Sequence, residues 1–262
     1  MDILKLGNAC ISIMFVTRTI LCGGEWFEAK SEHFKVFHYK NINEANKVAR
    51  MAEECYFRVT SEIGLPQRSD FWKWERRINI KIHPDFDSFQ KATGAPQWAG
   101  GKSNMGGREI STWEGSGNMR EGVFPHEIAH LILKSYFKER KIPLWFEEGI
   151  TQWVEKNKRE MITKNSLYPA FITDPFPIEN FWQCESAILL GDNASIFYIQ
   201  SLSLIAFLMN YGGANSFGIL CRRIKDGKNI EEALRFTYPD IAGTINELVE
   251  NWLKFEMDKK LN

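Results

Sequence analysis

Two histidines four residues apart, in residues 124–130 (FPHEIAH), constrain this chain more than any other feature. On an α-helix that spacing places His126 and His130 on one face, where both imidazoles can reach one metal ion. Glu127 projects beside that face, where its carboxylate can take a proton from a water bound to the metal. Residues 128–133 are mostly apolar, so we predict a helix that is buried except at its ligand face.

The alternative interpretation is a core helix that carries two hydrogen-bonded histidines. It would leave two desolvated imidazoles and a carboxylate on an apolar helix, which costs stability unless each finds a partner. Chance alone gives the pattern H-E-x-x-H in at most roughly one chain in a hundred of this composition. The pattern therefore favours a metal site.

A second predicted helix, opened by Pro143, offers a third ligand within residues 143–149 (PLWFEEG). Three protein ligands and one open position are typical of catalytic zinc, whereas structural zinc is closed by four ligands. Glu147 and Glu148 are both candidates. Neighbours on a helix point about 100° apart, so only one of them can face the histidines, and the spacing does not choose between them.

The segments HEIAH (126–130) and PLWFEEGITQWVE (143–155) resemble the gluzincin metallopeptidases, and among them the small peptidase MA-like proteins. Those proteins carry HExxH and then a W-x-x-E-G helix, and their third zinc ligand is the glutamate directly before the glycine. The resemblance therefore implies one Zn²⁺ per chain, bound by the residues His126, His130 and Glu148. It further implies a zinc-dependent metallopeptidase that hydrolyses peptide bonds with Glu127 as the general base.

The resemblance extends to residues 198–201 (YIQS), which are similar to the Y-x-Q-S helix start of the family. It implies that Tyr198 is catalytic and donates a hydrogen bond to the oxyanion of the reaction. The alternative is a tyrosine that is only packed in the core. The spacing of the residues leaves both interpretations open.

The chain departs from the family pattern in two places. Gln152 stands where thermolysin-like enzymes have an aspartate that orients a ligating histidine, so the charge of that partner is missing. The N-x-E-G exopeptidase signature is absent, and the sequence has no G-x-M-E-N-like loop for gripping a substrate amine. We therefore expect an endopeptidase rather than an aminopeptidase, acting on a peptide or protein substrate in extended conformation.

A function of another class is also compatible with the motif. A catalytically idle, zinc-containing module could hold an extended peptide without cleaving it. Glu127 argues against this alternative, because a purely structural metal site has no use for that carboxylate.

The composition is that of a globular protein with a sizeable core, since 44% of the 262 residues are hydrophobic and 25% are charged. The formal net charge is zero, which gives no indication of a nucleic-acid partner. Nine Trp and nineteen Phe indicate large aromatic packing units or an aromatic-lined groove, and we expect most of these residues in the core. The five scattered cysteines indicate neither a disulfide framework nor a thiolate zinc site.

The first 24 residues form a separate region. Residues 9–23 are mostly apolar, follow Lys5 and end in small residues, which is compatible with a secretory signal and an exported protein (secreted, periplasmic or at the surface). Arg18 interrupts the apolar run and no A-x-A-like cleavage site follows, so a cytoplasmic protein is the alternative. The run is short for a membrane span, and no stable span is expected elsewhere.

Period-two alternation predicts half-buried strands over residues 33–39 and 77–83. The helical pattern between them is expected to start at a cap on Asn43 and to end at Gly64. His38 and His83 fall in the strands, and we expect them at the surface rather than in the metal site.

Residues 94–118 hold seven glycines, which is compatible with a flexible loop or with an edge strand over 108–113. In gluzincins a strand before the metal helix pairs with the backbone of the substrate. An edge strand offers free N–H and C=O groups for such pairing.

The rest of the chain reads as loop-like from about 160 to 190 and as helical beyond that. Predicted helices cover residues 195–211, ended by Gly212-Gly213, and then 217–224, 230–236 and 241–255, the last capped by Asp240.

The predicted fold class is α+β and zincin-like: a small mixed twisted sheet with helices, a metal-binding helix and a helical C-terminal lobe. We expect one metallopeptidase domain over residues 25–262, with a sheet-containing lobe at about 30–137, a helical lobe at about 143–257 and a cleft between them.

Overall fold

The computed structural model describes residues 17–21, 24–66, 72, 74–164 and 177–261. Within these ranges the chain is a mixed α+β protein with one six-stranded sheet and nine α-helices, which confirms the predicted class. The contacts divide it into two compact units. The first takes its residues from 1–54 and 70–116, and the second from 55–69 and 117–262.

The sheet lies in the first unit, with the strand order β1-β2-β3-β4-β6-β5. The central strands β3, β4 and β6 are parallel, whereas β1, β2 and β5 each run antiparallel to a neighbour. The strands are β1 (Thr17–Leu21), β2 (Gly24–Lys30), β3 (Phe34–His38), β4 (Ile78–His83), β5 (Gly101–Asn104) and β6 (Glu109–Trp113).

The two strands predicted from alternation are confirmed as β3 and β4. The expectation that His38 and His83 lie at the surface is wrong, because they are only 5% and 7% exposed. Both sit at the carboxyl ends of their strands, where aromatic rings cover them. Tyr39 stacks on His38, and Trp26 packs edge-on against His83.

The predicted edge strand over residues 108–113 exists as β6, but its position in the sheet was predicted wrongly. β6 lies between β4 and β5, so its backbone groups are engaged on both sides. The turn at residues 105–108 contains Gly106 and Gly107 and reverses the chain, which makes β5 the outermost strand. The alternation of residues 108–113 could not show that this hairpin forms.

The nine helices lie mostly in the second unit. They are α1 (Ile42–Glu62), α2 (Phe86–Thr93), α3 (Phe124–Phe137), α4 (Leu144–Trp153), α5 (Lys156–Lys164), α6 (Ile178–Gln183), α7 (Ala194–Lys225), α8 (Ile230–Thr237) and α9 (Ile245–Leu261). The loop-like prediction for 160–190 is wrong where α5 and α6 lie. Residues 165–176 of that stretch fall outside the described residues.

Glycines stand at two predicted helix stops, ending one helix and interrupting another. Gly64 follows α1 with φ +66°, a conformation that favours glycine. Gly213 interrupts α7 with φ 64° and ψ −177°, which agrees with the predicted stop at Gly212-Gly213.

Two predicted caps are wrong by a few residues. Asn41, not Asn43, caps α1, because its Oδ1 accepts a hydrogen bond from the backbone N–H of Glu44 at 3.0 Å. At the start of α9, Thr244 and Glu247 bond to each other's backbone N–H in a capping box. Asp240 instead accepts a hydrogen bond from the Tyr211 hydroxyl.

The N-terminal region is described only in part. Residues 17–21 form β1, paired antiparallel with β2, whereas residues 1–16, 22 and 23 of the predicted signal segment lie outside the described residues. Export and its cytoplasmic alternative both stay predictions.

One helical segment in the described part of the chain, Leu190–Lys225, is long and apolar enough to cross a membrane by length and composition. Buried core helices share that composition. Inside this protein 61% of its most apolar stretch is buried.

Aromatic side chains form much of the core of the second unit, as predicted. Phe146 stacks on Phe217 with ring centroids 5.5 Å apart, and Phe181 packs against both Trp145 and Trp252. All five rings are at most 2% exposed. The described cysteines, Cys55, Cys184 and Cys221, are buried thiols.

Two buried hydrogen bonds between Glu53 and His33 fasten α1 to the turn before β3, and they yield a prediction for stability. Glu53 accepts hydrogen bonds from the backbone N–H and Nδ1 of His33, each 2.7 Å long. Burial opposes ionisation of Glu53, but the bonds from His33 outweigh it and hold the pKa of Glu53 below its usual value. We expect Glu53→Gln to lower the free energy of unfolding at pH 7 by about 2–3 kcal/mol, since hydrogen bonds to charged groups contribute that much.

The pH dependence of this loss has a definite sign. Because the pKa of Glu53 is lower in the folded state, the stabilisation is present above the unfolded value of 4.5 and is lost as the pH falls through the folded value. Urea unfolding at pH 7 and near pH 3 should therefore show the gap between wild type and variant shrinking in acid. The exposed neighbour Glu54, changed to Gln, is the control, and a gap that stays constant would contradict the prediction.

Candidate metal centre

The helix α3 presents the two histidines as their spacing predicts. Pro125 lies in its first turn, where a missing backbone N–H is harmless. The apolar side chains of α3, such as Ile128, are fully buried, whereas His126 and His130 are partly exposed. The two imidazole rings lie with their centroids 4.9 Å apart.

The helix α4 brings the third candidate ligand to the histidines. It begins after Pro143, as predicted, and buries Trp145, Phe146 and Ile150 on the side opposite its carboxylates. Gly149 follows Glu148 directly and touches α7: a Cβ at this position would lie 2.5 Å from the Ser201 carbonyl oxygen. The glycine therefore lets α4 pack closely against α7 while Glu148 faces α3.

His126, His130 and Glu148 form one cluster. Each offers a ligand atom, and the three atoms lie within 4.8 Å of one another. The His130 Nε2 and Glu148 Oε1 atoms are 4.0 Å apart. Tetrahedral zinc, with bonds of about 2.0–2.2 Å, holds its ligand atoms roughly 3.4 Å apart, so small rotations of these side chains suffice to fit one ion.

A second layer of carboxylates orients both imidazoles. His126 Nδ1 is 2.8 Å from Glu155 Oε1, and His130 Nδ1 is 2.7 Å from Glu147 Oε1. An ionised carboxylate only accepts hydrogen bonds, so each Nδ1 carries the proton and each Nε2 is left as a lone-pair donor. This arrangement separates the roles of the adjacent glutamates, with Glu148 in the ligand cluster and Glu147 behind His130.

Two features of this second layer were not predicted. Gln152, at the position of the orienting aspartate, bonds to the backbone of two helices. Its side-chain amide donates to the backbone oxygens of Glu148 and Tyr198, at 3.1 and 3.0 Å. Glu155, which lies just beyond the end of α4, was not predicted as a partner of His126. Its distance of seven residues from Glu148, two helical turns, is the signal that could have found it.

The carboxylates make the cluster favourable for positive charge. Burial opposes the ionisation of Glu147 and Glu155, but the hydrogen bonds from the histidines outweigh burial and keep the pKa of both below its usual value. Burial also lowers the pKa of His130, yet the bond to Glu147 and the charges of Glu148 and Glu127 raise it above its usual value. A proton or a metal ion at the cluster is thereby stabilised.

The two predicted catalytic residues both lie near the cluster. Glu127 is 8% exposed, and its charge acts on His130. Tyr198 is half-buried in the first turns of α7, and burial, together with the charge of Glu148, raises the pKa of Tyr198 to about 12. Its phenol thus stays protonated and able to donate a hydrogen bond at neutral pH.

The ligand atoms of the cluster suit a cation between hard and soft, such as Zn²⁺. Two imidazole nitrogens and one carboxylate oxygen match catalytic zinc sites with three protein ligands, whereas calcium and magnesium prefer oxygen ligands only. The imidazole tautomers already leave both Nε2 atoms available, so the residues present fit a zinc ion.

Comparison with protein-family models and with curated proteins finds no match for this chain.

Glu155 provides a test of the second layer. We expect Glu155→Ala to weaken zinc binding about 10–100-fold, because partners behind a ligating histidine typically contribute that much to metal affinity. Competition with a chromophoric chelator measures the affinity. Glu160→Ala, an exposed glutamate on α5, is the matched control. Equal zinc affinity in wild type and Glu155→Ala would contradict the role assigned to Glu155.

Gly149 provides a second test, of the packing that positions Glu148. The Cβ in Gly149→Ala would lie 2.5 Å from both the Ser201 oxygen and Ile205 Cγ1, so α4 must move away from α7. We expect a loss of about 1–3 kcal/mol in stability without metal. We also expect weaker zinc binding, because Glu148 moves with the helix.

Thermal unfolding and the same chelator competition measure the two effects. Gly106→Ala is the control, since a Cβ there would have its nearest neighbour at 3.4 Å, an ordinary contact away from the cluster. A melting temperature for Gly149→Ala equal to that of wild type would contradict the account.

Proposed function

We propose that this protein is a zinc-dependent metallopeptidase of the gluzincin type that cleaves peptide bonds within extended peptide or protein substrates. The observation that carries the proposal is the convergence of His126, His130 and Glu148, with both Nδ1 atoms already engaged by carboxylates. That arrangement prepares both Nε2 atoms for a metal. A pair of merely structural histidines would not need the third carboxylate.

A zincin-like fold is part of the proposal. A mixed sheet in the first unit, a metal helix (α3) and a ligand-bearing helix (α4) within a mainly helical second unit are compatible with that architecture. The α+β class is shared by many unrelated folds, so the proposal depends on the residues of the candidate metal site rather than on the fold.

The chemistry divides between the metal and the chain. When bound, zinc lowers the pKa of a coordinated water towards about 7 and polarises the scissile carbonyl. Glu127 accepts the proton of the attacking water and delivers it to the leaving amine, a role for which its buried position next to a ligand is suited. Tyr198 donates a hydrogen bond from its neutral phenol to the oxygen on which negative charge develops.

The surroundings of Glu147 support endopeptidase rather than aminopeptidase activity. Its carboxylate is committed to His130, so it is not available to bind the free amine of a substrate. The sequence also lacks the exopeptidase signature in this segment. An idle zinc-binding module is the competing function, and it predicts zinc without hydrolysis.

The test combines metal content with hydrolysis of quenched casein. We expect one zinc per chain in wild type and in Glu127→Gln, and loss of the zinc in Glu148→Ala. Glu127→Gln should lose about 10²–10⁴-fold in hydrolysis, the usual contribution of a general base. Tyr198→Phe should keep the zinc and lose activity, although less than Glu127→Gln.

The exposed Glu139, changed to Gln, is the control and should behave as wild type. Stoichiometric zinc in a wild type that cleaves no peptide would favour the idle module. A folded wild type that binds no zinc would overturn the proposal altogether.

A further inference from the structure

A cavity of about 490 Å³ lies in the second unit beside the metal centre. Its walls come from the end of α3, the connection to α4, the first turn of α4 and the end of α6 with the two residues that follow it. Its volume falls in the range of small-ligand pockets, about 300–1,000 Å³. The cavity is therefore large enough for a side chain of a bound peptide.

Three wall residues link the cavity to the candidate metal centre. Glu147 is part of its wall and also bonds to His130. Lys134, another wall residue, lies one helical turn after His130 on α3, and its charge acts on Glu147. The wall residue Cys184 is close enough to Tyr198 to affect the pKa of its phenol.

The charges of the lining are mainly positive. Four cationic side chains line the cavity: Lys134, Lys138, Arg140 and Lys141. Only two carboxylates oppose them, and one of these, Glu147, is already bonded to His130. The other is Glu185. A carboxylate that enters the cavity therefore meets a surplus of positive charge.

The remaining lining suits an aliphatic stem. Leu133, Phe137 and Trp182 contribute apolar surface between the cations. A short apolar chain that ends in an anion, such as the side chain of glutamate, matches both parts of the lining. A neutral isostere such as glutamine would lack the charge that the cations can bind.

We infer that this cavity is a substrate subsite that selects an acidic side chain, so that the protein cleaves peptides carrying Glu or Asp near the scissile bond. The inference rests on the proposed peptidase function, because a subsite has meaning only beside a reacting centre. It adds a substrate class that the metal motif does not specify.

The test uses the zinc-loaded full chain and pairs of quenched peptides that differ only by Glu or Gln at one position. The position is moved along the four residues on each side of the scissile bond, with all peptide C-termini amidated. We expect wild type to prefer Glu at one position by about tenfold or more in kcat/KM, as expected for binding of a carboxylate by cations.

Substitutions of lining residues test whether the preference for Glu arises in the cavity. In Arg140→Gln/Lys141→Gln, which replaces two exposed residues away from the histidines, the Glu/Gln ratio should fall to about threefold or less, chiefly because the Glu peptide is cleaved more slowly. Lys164→Gln, an exposed lysine on α5, is the control. A wild type with equal rates on both peptides, or a ratio unaffected by the double substitution, would overturn the inference.

The same assay distinguishes a side-chain carboxylate from the terminal carboxylate of the peptide. Repeating it with free peptide C-termini shows whether a terminal carboxylate is used instead. A preference that appears only with free C-termini would overturn the assignment to a side chain.

Binding separates failure of the subsite from failure of the proposed function. Calorimetry with zinc-loaded Glu127→Gln measures the affinity for the same Glu and Gln peptides without hydrolysis. Tighter binding of the Glu peptide, lost in the triple variant with Arg140→Gln/Lys141→Gln, supports the acidic subsite even if wild type cleaves nothing. Hydrolysis with no Glu preference in either assay would keep the peptidase and remove the subsite.

Discussion

The close packing of α4 against α7 is the constraint on which the cluster of His126, His130 and Glu148 depends. At Gly149 the two helices approach until no side-chain atom fits between them, and Glu148 is the residue next to that contact. Gly149 therefore sets the distance between the two helices, and that distance positions the carboxylate of Glu148 beside the histidines. A side chain at position 149 would separate the helices and displace Glu148, although all three residues of the cluster would be unchanged.

The cluster also brings several negative charges close together, and their mutual repulsion opposes folding. Glu127, Glu147, Glu148 and Glu155 surround two imidazoles within one partly buried region. The hydrogen bonds at each Nδ1 offset part of the cost, and Lys158 shares Glu155 with His126 at 2.7 Å. A bound divalent cation would offset more of it, so metal binding and folding stability of the second unit are thermodynamically linked.

Local patterns were enough to predict the parts of the centre that lie on single helices. The four-residue spacing placed His126 and His130 on one face, and Pro143 marked the start of α4. The sequence could not predict Glu155 as a partner of His126, because that contact depends on the turn after α4 and on how α3 crosses it. Local patterns could not predict the strand order, in which β6 lies inside the sheet, or the burial of His83. Both are set by pairing between strands that are distant in sequence.

The amide of Gln152 has a consequence for how the site tolerates changes in the chain. It bonds the backbone of the ligand-bearing helix at Glu148 to the backbone of α7 at Tyr198. These two points are fifty residues apart in sequence, yet one side chain fixes their separation. The connection between α5 and α6 is thereby released from the task of positioning the phenol, so changes in its length are compatible with an unaltered cluster.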